Sequence, residues 1–396
     1  MAIKYLKKAI KTPSTDDLKT RSSVQNILND IEKRKEEGIK EITKKFDKYE
    51  GEIIVSKEKI EEAIKKVDQK TKDDVQFAHE RIKRFAEHQL KSMNNDFEVE
   101  LSKGLFAGQR LIPVDTAGCY IPGGRYAHIS SAVMAITPAK VAGVERIVVV
   151  TPSKFGEINP YVLALLDELD ICEIYQVGGA QAIAALAYGT ESIQQVNKIF
   201  GPGNAYVASA KKQVFGKVGI DLIAGPTEII VVADKNNNPK WVAADLIAQA
   251  EHDVLAQSIL ITDNKNFAKE VIDAMKKLTL HLSNKKIIKK SLDRFGIIII
   301  TDNFTNTEKI IDYIAPEHLH LQNKSRYKML ENINNAGGIF MGEYTSEVFG
   351  DYIAGTNHVL PTSGSAKFSS GLGVLDFMKR TSVVEMDSIG YHLNQS

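Results

Sequence analysis

One acid and two imidazoles stand close together at residues 314–322, where the sequence reads IAPEHLHLQ. Glu317 beside His318 could transfer protons, because carboxylates and imidazoles are common general acids and bases. His318 and His320 could instead bind a metal ion, since imidazole nitrogens bind zinc and iron. A third interpretation is a half-buried strand with both histidines on its solvent face. The proton-transfer pair requires a break in strand regularity, which Pro316 makes possible, and periodicity leaves all three open.

Further side chains with ligand chemistry lie in two other segments. Gln249 and His252 in IAQAEHD are three residues apart on a predicted helix and could project toward one point, although such pairs are also common on ordinary helix surfaces. Asp351 and His358 lie in residues 349–373, a long stretch rich in glycine, serine, threonine and asparagine. Loops of that length in compact domains are usually functional or disordered. The apolar residues within this stretch argue against disorder.

Glycine-rich turns raise the possibility of nucleotide binding. GPGNAY at 201–206 has the first two glycines of a dinucleotide fingerprint, with tyrosine at the third position, and Asp221 lies at a plausible distance for a ribose contact. GGAQA and IPGGR match less well, yet each supplies backbone N–H groups near a helix start, where an anion is stabilised. Each turn alone is compatible with a purely structural role, but several of them on one sheet edge favour a ligand.

The pattern of elements supplies the scaffold. From Ala107 to Asp234, short β-branched runs alternate with alanine-rich helices, which is typical of a parallel sheet with covering helices. Ligands in such sheets bind beyond the carboxyl ends of the strands, here the turns TPSK, GGAQ, GPGN and AGPT. A second α/β pattern runs from about Trp241 to Phe377, and the segment before it, from about Thr15 to Asn95, has the periodicity of charged amphipathic helices. STDD at 14–17 is typical of a helix start.

The fold class expected from these patterns is α/β: two doubly wound, incomplete Rossmann-like parallel-sheet domains plus an N-terminal helical extension. We expect a short N-terminal extension, a discontinuous first α/β domain, an inserted α/β domain and a C-terminal segment. The extension spans 1–20, the discontinuous first domain 21–118 and 230–376, the inserted domain 119–229, and the C-terminal segment 377–396. Whether the glycine-rich middle is truly an insertion stays open at this stage.

Bulk composition narrows the classes of partner. The 396 residues include 51 basic and 50 acidic side chains, so there is no electrostatic bias toward nucleic acid or membrane. Cys119 and Cys172 form no CxxC pair, which indicates neither a disulfide framework nor a cysteine zinc site. The sequence shows no signal peptide or apolar run long enough for a membrane span. We therefore expect a cytoplasmic protein that binds a small molecule, with no nucleic-acid or membrane partner.

Eight long segments in order resemble histidinol dehydrogenase, from roughly residue 15 to 384. They are AGCYIPGGRY, VGGAQAIAALAYGTESI, KIFGPGNAYVASAK, IDLIAGPTEIIVVAD, DLIAQAEHD, IAPEHLHL, GGIFMGEYTSEVFGDYIAGTNHVLPTSGSA and FSSGLGVLDFMKRTSV. The resemblance implies a zinc enzyme that oxidises L-histidinol through the aldehyde to L-histidine, with two NAD molecules and one water. Each half-reaction removes two electrons.

The resemblance also implies roles for individual residues. Glu317 and His318 match the catalytic pair, with His318 taking the hydroxyl proton and Glu317 activating water. The implied NAD contacts are Tyr120, Gln181 and Asn204. The implied zinc ligands are Gln249, His252 and Asp351, which with Thr227 and His318 would also contact the substrate. On this interpretation His320 is not a ligand.

The sequence departs from the family at its C-terminus. Family members continue for a few dozen residues in an arm that crosses a homodimer and donates a glutamate to the substrate and a histidine to the partner's zinc. Residues 377–396 would be a remnant of that arm, and the arm's role is not transferred to His392. The zinc site would then be one protein ligand short and bind zinc weakly. A relative that oxidises another small alcohol and an inactive paralogue are the alternatives.

Overall fold

A computed structural model describes residues 4–9, 18–93, 96–123, 128–153, 156–304 and 307–393. The helix start expected at 14–17 and the second half of the IPGGR turn lie outside the described residues. The structure is α/β with parallel sheets, as expected.

Helices and strands alternate along most of the described chain. The helices are α1 (Leu18–Asp47), α2 (Lys57–Lys65), α3 (Gln69–Ser92), α4 (Ile129–Ala142), α5 (Pro160–Glu168), α6 (Gly179–Tyr188), α7 (Ala205–Val214), α8 (Pro239–His252), α9 (Lys265–Thr279), α10 (Lys285–Phe295), α11 (Thr307–Ile314), α12 (Arg326–Leu330), α13 (Phe349–Tyr352) and α14 (Ser388–Leu393). The strands are β1 (Lys4–Lys7), β2 (Phe97–Ser102), β3 (Leu105–Pro113), β4 (Thr116–Tyr120), β5 (Arg146–Thr151), β6 (Glu173–Gln176), β7 (Lys198–Phe200), β8 (Gly219–Ile220), β9 (Glu228–Val232), β10 (Gln257–Thr262), β11 (Ile297–Ile300), β12 (His318–Leu321), β13 (Gly338–Met341) and β14 (Met378–Met386).

The described residues form two compact units. The first lies within Met1–Ser22, Pro202–Ser209 and Leu222–Gly371. The second lies within Ser23–Gly201, Ala210–Asp221 and Leu372–Ser396. This division differs from the expected one, because α1, α2 and α3 group with the glycine-rich middle of the chain rather than with the later α/β region.

The first unit contains a six-stranded sheet in the order β1-β11-β10-β9-β12-β13. β1 is antiparallel to β11, and the other neighbours are parallel. Chain order runs outward from β9 through β10 to β11, and then restarts on the other side with β12 and β13, so the direction of winding switches between β9 and β12. Apolar clusters cover both faces, one beneath α8 and α9 and the other beneath α11 and α12. This is a doubly wound sheet.

β12 is a fully buried strand, which removes the solvent-face interpretation of its two histidines. Leu319 and Leu321 pack in the cluster with α11 and α12. Alternation places His318 and His320 on the opposite face, where they are only 3% and 0% exposed. β9 and β13 pair with the two edges of β12, and α8 covers the face that carries the histidines, where Asp245 Oδ2 lies 3.1 Å from His320 Nδ1.

The second unit contains a five-stranded parallel sheet in the order β6-β5-β4-β7-β8. Its winding switches between β4 and β7. Crevices at such switch points, outside the carboxyl ends of the strands, are where ligands bind in open α/β sheets. β4 ends at Tyr120, and the GPGN turn follows β7.

A three-stranded antiparallel sheet, β14-β3-β2, completes the second unit. β14 pairs with β3 from Met378 opposite Pro113 to Met386 opposite Leu105. The residues expected to be the remnant of an arm thus supply an edge strand in this structure. Among the described residues, no helix combines the length and apolarity that crossing a bilayer requires.

Candidate functional site

Glu317 occupies a buried position at the start of β12. The backbone of Ala315 has a φ of 53°, so the chain leaves extended geometry just before Pro316 and becomes a strand again at His318. Glu317 Oε2 accepts hydrogen bonds from the Thr227 hydroxyl, at 2.6 Å, and from the Glu228 amide, at 3.2 Å. Burial raises the pKa of Glu317 to about 7, although these two hydrogen bonds oppose the shift.

His318 lies next to Glu317 in space as well as in sequence. Its Nδ1 is 3.7 Å from Glu317 Oε2 and 3.0 Å from the Glu228 carbonyl oxygen. A carbonyl only accepts, so Nδ1 carries the proton and Nε2 presents a lone pair in the neutral ring. That Nε2 is 3.1 Å from Nε2 of His358. Burial lowers the pKa of His318 to about 4, so its imidazole is neutral at physiological pH.

The predicted zinc ligands come from two elements near this pair. Gln249 and His252 occupy the last turn of α8, and Asp351 lies in the short helix α13. Gln249 is buried, and its side-chain amide donates to the Thr227 hydroxyl. His252 is exposed and Asp351 partly buried. After the larger effects of burial and hydrogen bonding, the charge of His252 lowers the pKa of Glu317 and the charge of Asp351 raises it.

Two functional candidates were not assigned from the sequence. Glu347 and His358 join His318 in a group whose ligand atoms all lie within 4.8 Å of one another. Burial, followed by the charges of Asp351, Asp245 and Glu317, raises the pKa of Glu347 to about 8. Burial lowers the pKa of His358 to about 4. The sequence offers one weak signal for Glu347, which is its position two residues before the 349–373 stretch that was expected to be functional.

The group formed by His318, Glu347 and His358 offers ligand atoms that suit a divalent cation. Burial also raises the pKa of Glu228 to about 7, so three buried carboxyl groups cannot ionise easily in the absence of a positive partner. Histidine nitrogens and carboxylate oxygens are zinc ligands. The Thr227 contact uses the nitrogen of the Gln249 amide, so the amide oxygen is the atom with which Gln249 could bind a metal.

These residues gather at the amino ends of the strands, whereas the sequence suggested the carboxyl ends. Thr227 and Glu228 are at the start of β9, and Glu317 and His318 are at the start of β12. The AGPT turn therefore precedes its strand instead of following one. α8 returns antiparallel to the strands, so its C-terminal turn with Gln249 reaches the same edge.

The residues predicted to contact NAD lie at or just beyond the carboxyl ends of strands: Tyr120 is the last residue of β4, Gln181 lies in α6 after β6, and Asn204 follows β7. The Tyr120 hydroxyl accepts from the Gly179 amide, at 3.2 Å, at the start of α6. Gln181 is buried in the first turn of that helix and donates to Asp47 Oδ2 at 3.1 Å. Asn204 caps α7 by accepting from the amides of Tyr206 and Val207.

Asp221, considered for a ribose contact, has another function in the structure. Its side chain is 2% exposed and pairs with Lys211, which is equally buried. Its second oxygen accepts from the Gly201 amide at 2.7 Å, and Lys211 donates to the Gly201 carbonyl at 2.9 Å. The ribose interpretation is therefore wrong, because both carboxylate oxygens of Asp221 bind groups that hold the GPGN turn in place.

His320 does not join His318 on one ion. Its Nε2 donates to the Gly342 carbonyl at 2.8 Å, and its Nδ1 lies 3.1 Å from Asp245 Oδ2. Both ring nitrogens are engaged away from the Nε2 of His318, so the His-x-His clamp is excluded.

Comparisons with known proteins agree on one family. A family model described as "Histidinol dehydrogenase" matches residues 10–395. "Histidinol dehydrogenase homolog" of Pelagibacter ubique is 49% identical over 391 residues, covering 98% of this chain and 91% of that protein. Histidinol dehydrogenase of Rhodopseudomonas palustris is 47% identical over 367 residues, covering 92% and 84%. The crystal structure of histidinol dehydrogenase from Elizabethkingia anophelis superposes with a TM-score of 0.91 at 34% identity, covering 97% and 88%.

The match spans both compact units and includes the buried acid–imidazole pair, so it is not confined to a common sheet topology. The chain belongs to the histidinol dehydrogenase family, whose members are oxidoreductases.

Proposed function

We propose that this chain oxidises L-histidinol to L-histidine in two steps, each of which transfers a hydride to NAD, with zinc as a further cofactor. Alcohol and NAD⁺ give aldehyde, NADH and a proton; aldehyde, water and a second NAD⁺ give the carboxylic acid, NADH and a proton. The observation that carries the proposal is the contact of Glu317 and His318 at one end of the sheet. One imidazole base and one carboxylate base are what the two steps need.

His318 is suited to the alcohol step. The Glu228 carbonyl fixes the tautomer in which Nε2 has a lone pair, and the lowered pKa keeps that lone pair free of a proton at neutral pH. Nε2 can therefore accept the hydroxyl proton as hydride leaves the substrate carbon. The neighbouring Nε2 of His358 lies within hydrogen-bond distance and can pass or hold a proton at the same point.

Glu317 is suited to the aldehyde step. With its pKa raised to about 7, the carboxylate is a stronger base than an exposed glutamate and can remove a proton from water as that water adds to the aldehyde. The Thr227 hydroxyl and the Glu228 amide hold one carboxylate oxygen. That leaves the other oxygen to receive the proton, and two consecutive residues at the start of β9 fix the direction of the carboxylate.

Gln249, His252 and Asp351 would hold the zinc ion, which when bound supplies a template and a Lewis acid for the substrate's nitrogen and oxygen atoms. The links from Gln249 to Thr227 and from Thr227 to Glu317 connect the proposed metal ligands to the base. Any shift of Gln249 would therefore also move the Glu317 carboxylate.

Tyr120, Gln181 and Asn204 would contact NAD. Support comes from their positions at the end of β4, after β6 and after β7 of the doubly wound sheet. The anchored Gly201 turn supports the same role, because its φ of 109° and its close approach to the Tyr120 carbonyl require glycine.

Product stoichiometry tests the proposal. Purified chain loaded with zinc is mixed with limiting L-histidinol and excess NAD, and NADH and histidine are quantified. We expect two NADH and one histidine per histidinol. Turnover of other small primary alcohols with none of histidinol would contradict the substrate, and a single NADH per histidinol would contradict the second step.

A further inference from the structure

The second histidine of EHLH belongs to a buried polar cluster that the proposed chemistry does not use. We call it the Asp245 network: the side chains of Asp245, His320, Gln322 and Ser346, with the backbone carbonyl of Gly342. Asp245 is 7% exposed, His320 0% and Gln322 3%. Most of their polar atoms are paired within the cluster, although Gln322 Oε1 has no hydrogen-bond partner, and each buried polar group without a partner costs free energy.

Asp245 connects the network to the helix of the proposed metal ligands. It lies on α8 four residues before Gln249 and seven before His252. Residues at these spacings share one helix face. Contacts that hold Asp245 in place therefore also fix the orientation of α8 and the positions of Gln249 and His252.

The other end of the network holds the segment that leads to Asp351. Ser346 Oγ donates to Asp245 Oδ1 at 2.8 Å. His320 Nε2 donates to the carbonyl of Gly342, where the chain leaves β13 with a φ of 92°. Residues 342–346 are thus tied at both ends, and Glu347 and Asp351 follow directly in chain order.

β12 supplies the middle of the network. The Gln322 amide donates to Asp245 Oδ2 at 2.8 Å and lies 3.2 Å from His320 Nδ1. His320 stands two residues from His318 on the same face of the strand, so the strand that presents the proposed base also anchors the helix and the segment.

We propose that Asp245 and His320 are positioning residues for the metal centre: they lock α8 to the 342–351 segment so that Gln249, His252 and Asp351 converge on one ion. The inference rests on the proposed function, in which these three side chains bind zinc. Neither Asp245 nor His320 touches the ion or the substrate. Their role is the support that metal ligands commonly receive from a surrounding layer of hydrogen bonds.

The test compares zinc affinity and metal-free stability across matched variants. Asp245→Asn and His320→Phe break the network. His320→Gln retains a donor for the Gly342 carbonyl. Ser258→Ala is the control, because Ser258 is equally buried and donates to the Leu246 carbonyl of the same helix at 2.8 Å, without contact to the 342–351 segment. The zinc dissociation constant is measured by competition with a chromophoric chelator, and the Tm of the metal-free chain by calorimetry.

The network variants are expected to weaken zinc binding about 10- to 100-fold, the range for outer-layer partners of metal ligands. The zinc affinity of His320→Gln should lie between those of His320→Phe and the parent. The zinc affinity of Ser258→Ala should stay within about two-fold of the parent's even if its Tm falls. Equal zinc affinities in His320→Phe, Asp245→Asn and Ser258→Ala would overturn the inference while leaving the proposed function intact. Absence of zinc binding by the parent chain would overturn both.

Discussion

Glu317 Oε2 lies 3.7 Å from Nδ1 of His318, although consecutive residues of a regular strand point to opposite faces. The positive φ of Ala315 and the proline that follows end the preceding helix and delay the strand until His318. Glu317 can therefore turn toward Thr227 and Glu228. This local break is what allows the side chains of two adjacent residues to approach each other.

Replacing the two proposed zinc ligands of α8, Gln249 and His252, should lower metal content unequally. Carboxamide oxygen is a less common zinc ligand than imidazole nitrogen, so Gln249→Ala is expected to retain more zinc than His252→Ala after identical dialysis. Metal analysis by atomic emission gives the ratio. Equal losses, or a larger loss in Gln249→Ala, would refute the ranking.

Removing the Thr227 hydroxyl should slow the aldehyde step. Thr227→Val keeps the side-chain shape but leaves Glu317 Oε2 without its shorter hydrogen bond, and hydrogen bonds to charged groups contribute about 1.5–3 kcal/mol. We expect at least a roughly ten-fold fall in kcat with histidinaldehyde, normalised to bound zinc, with most of the rate restored in Thr227→Ser. An unchanged rate in Thr227→Val would show that this hydroxyl does not act on Glu317.

The raised pKa of Glu347 predicts a pH-dependent stability of the metal-free chain. Its folded pKa, about 8, lies above the ordinary glutamate pKa of 4.5, so between these values the folded state holds a proton that the unfolded state has released. Stability from this group is present at low pH and is lost as pH rises through about 8. Between about pH 6.5 and pH 9 the unfolding free energy of the parent should fall more steeply than that of Glu347→Gln.

Urea denaturation at several pH values measures this difference. The starting pH is chosen because His318 and His358, whose pKa values are lowered, no longer contribute strongly above the ordinary histidine pKa of 6.5. Glu343→Gln, on the same segment but not fully buried, is the control and should follow the parent. If the unfolding free energies of the parent and Glu347→Gln change in parallel with pH, the raised pKa of Glu347 is contradicted.

The buried Lys211–Asp221 pair predicts a large stability effect. Lys211→Met leaves a carboxylate uncompensated at 2% exposure, which typically costs roughly 3–5 kcal/mol. The double variant Lys211→Met/Asp221→Leu should recover part of that loss, because no unpaired charge remains. Exposed Lys212→Met, the neighbour on the same helix, should change the unfolding free energy by about 0.5 kcal/mol or less. Denaturant unfolding measures the unfolding free energy of all three variants. A decrease in Lys211→Met no larger than that in Lys212→Met would contradict the predicted cost of the unpaired carboxylate.

The local patterns of the sequence predicted much of the parallel architecture. β5, β6, β7, β10 and β11 coincide with β-branched runs, and the intervening helices with alanine-rich or amphipathic segments. The sheet to which a strand belongs is a tertiary property, however. The expected boundary between residues 229 and 230 cuts through β9, but the whole strand lies at the centre of the six-stranded sheet. The antiparallel β14-β3 pairing joins residues more than 260 positions apart, and no local pattern reveals such a partner.

The candidate site was predictable to the same limited extent. The types of Glu317 and His318 indicated acid–base chemistry, but their burial follows from the strands on either side, β9 and β13. Alternation correctly separated the leucines of β12 from its histidines. Glu347 and the contact of His358 with His318 depend on the return of residues 342–358 along the sheet, which the sequence does not encode locally.

The division of labour between His318 and Glu317 is tested most directly by single-turnover NADH formation in Glu317→Gln. With zinc-loaded enzyme in excess over L-histidinol and NAD in excess over both, the parent should form two NADH per histidinol. Glu317→Gln should form the first at a rate close to the parent's and the second about 10²–10⁴ times more slowly, the usual contribution of a general base. Two NADH formed at the parental rates, or loss of the first NADH as severe as that of the second, would contradict the account.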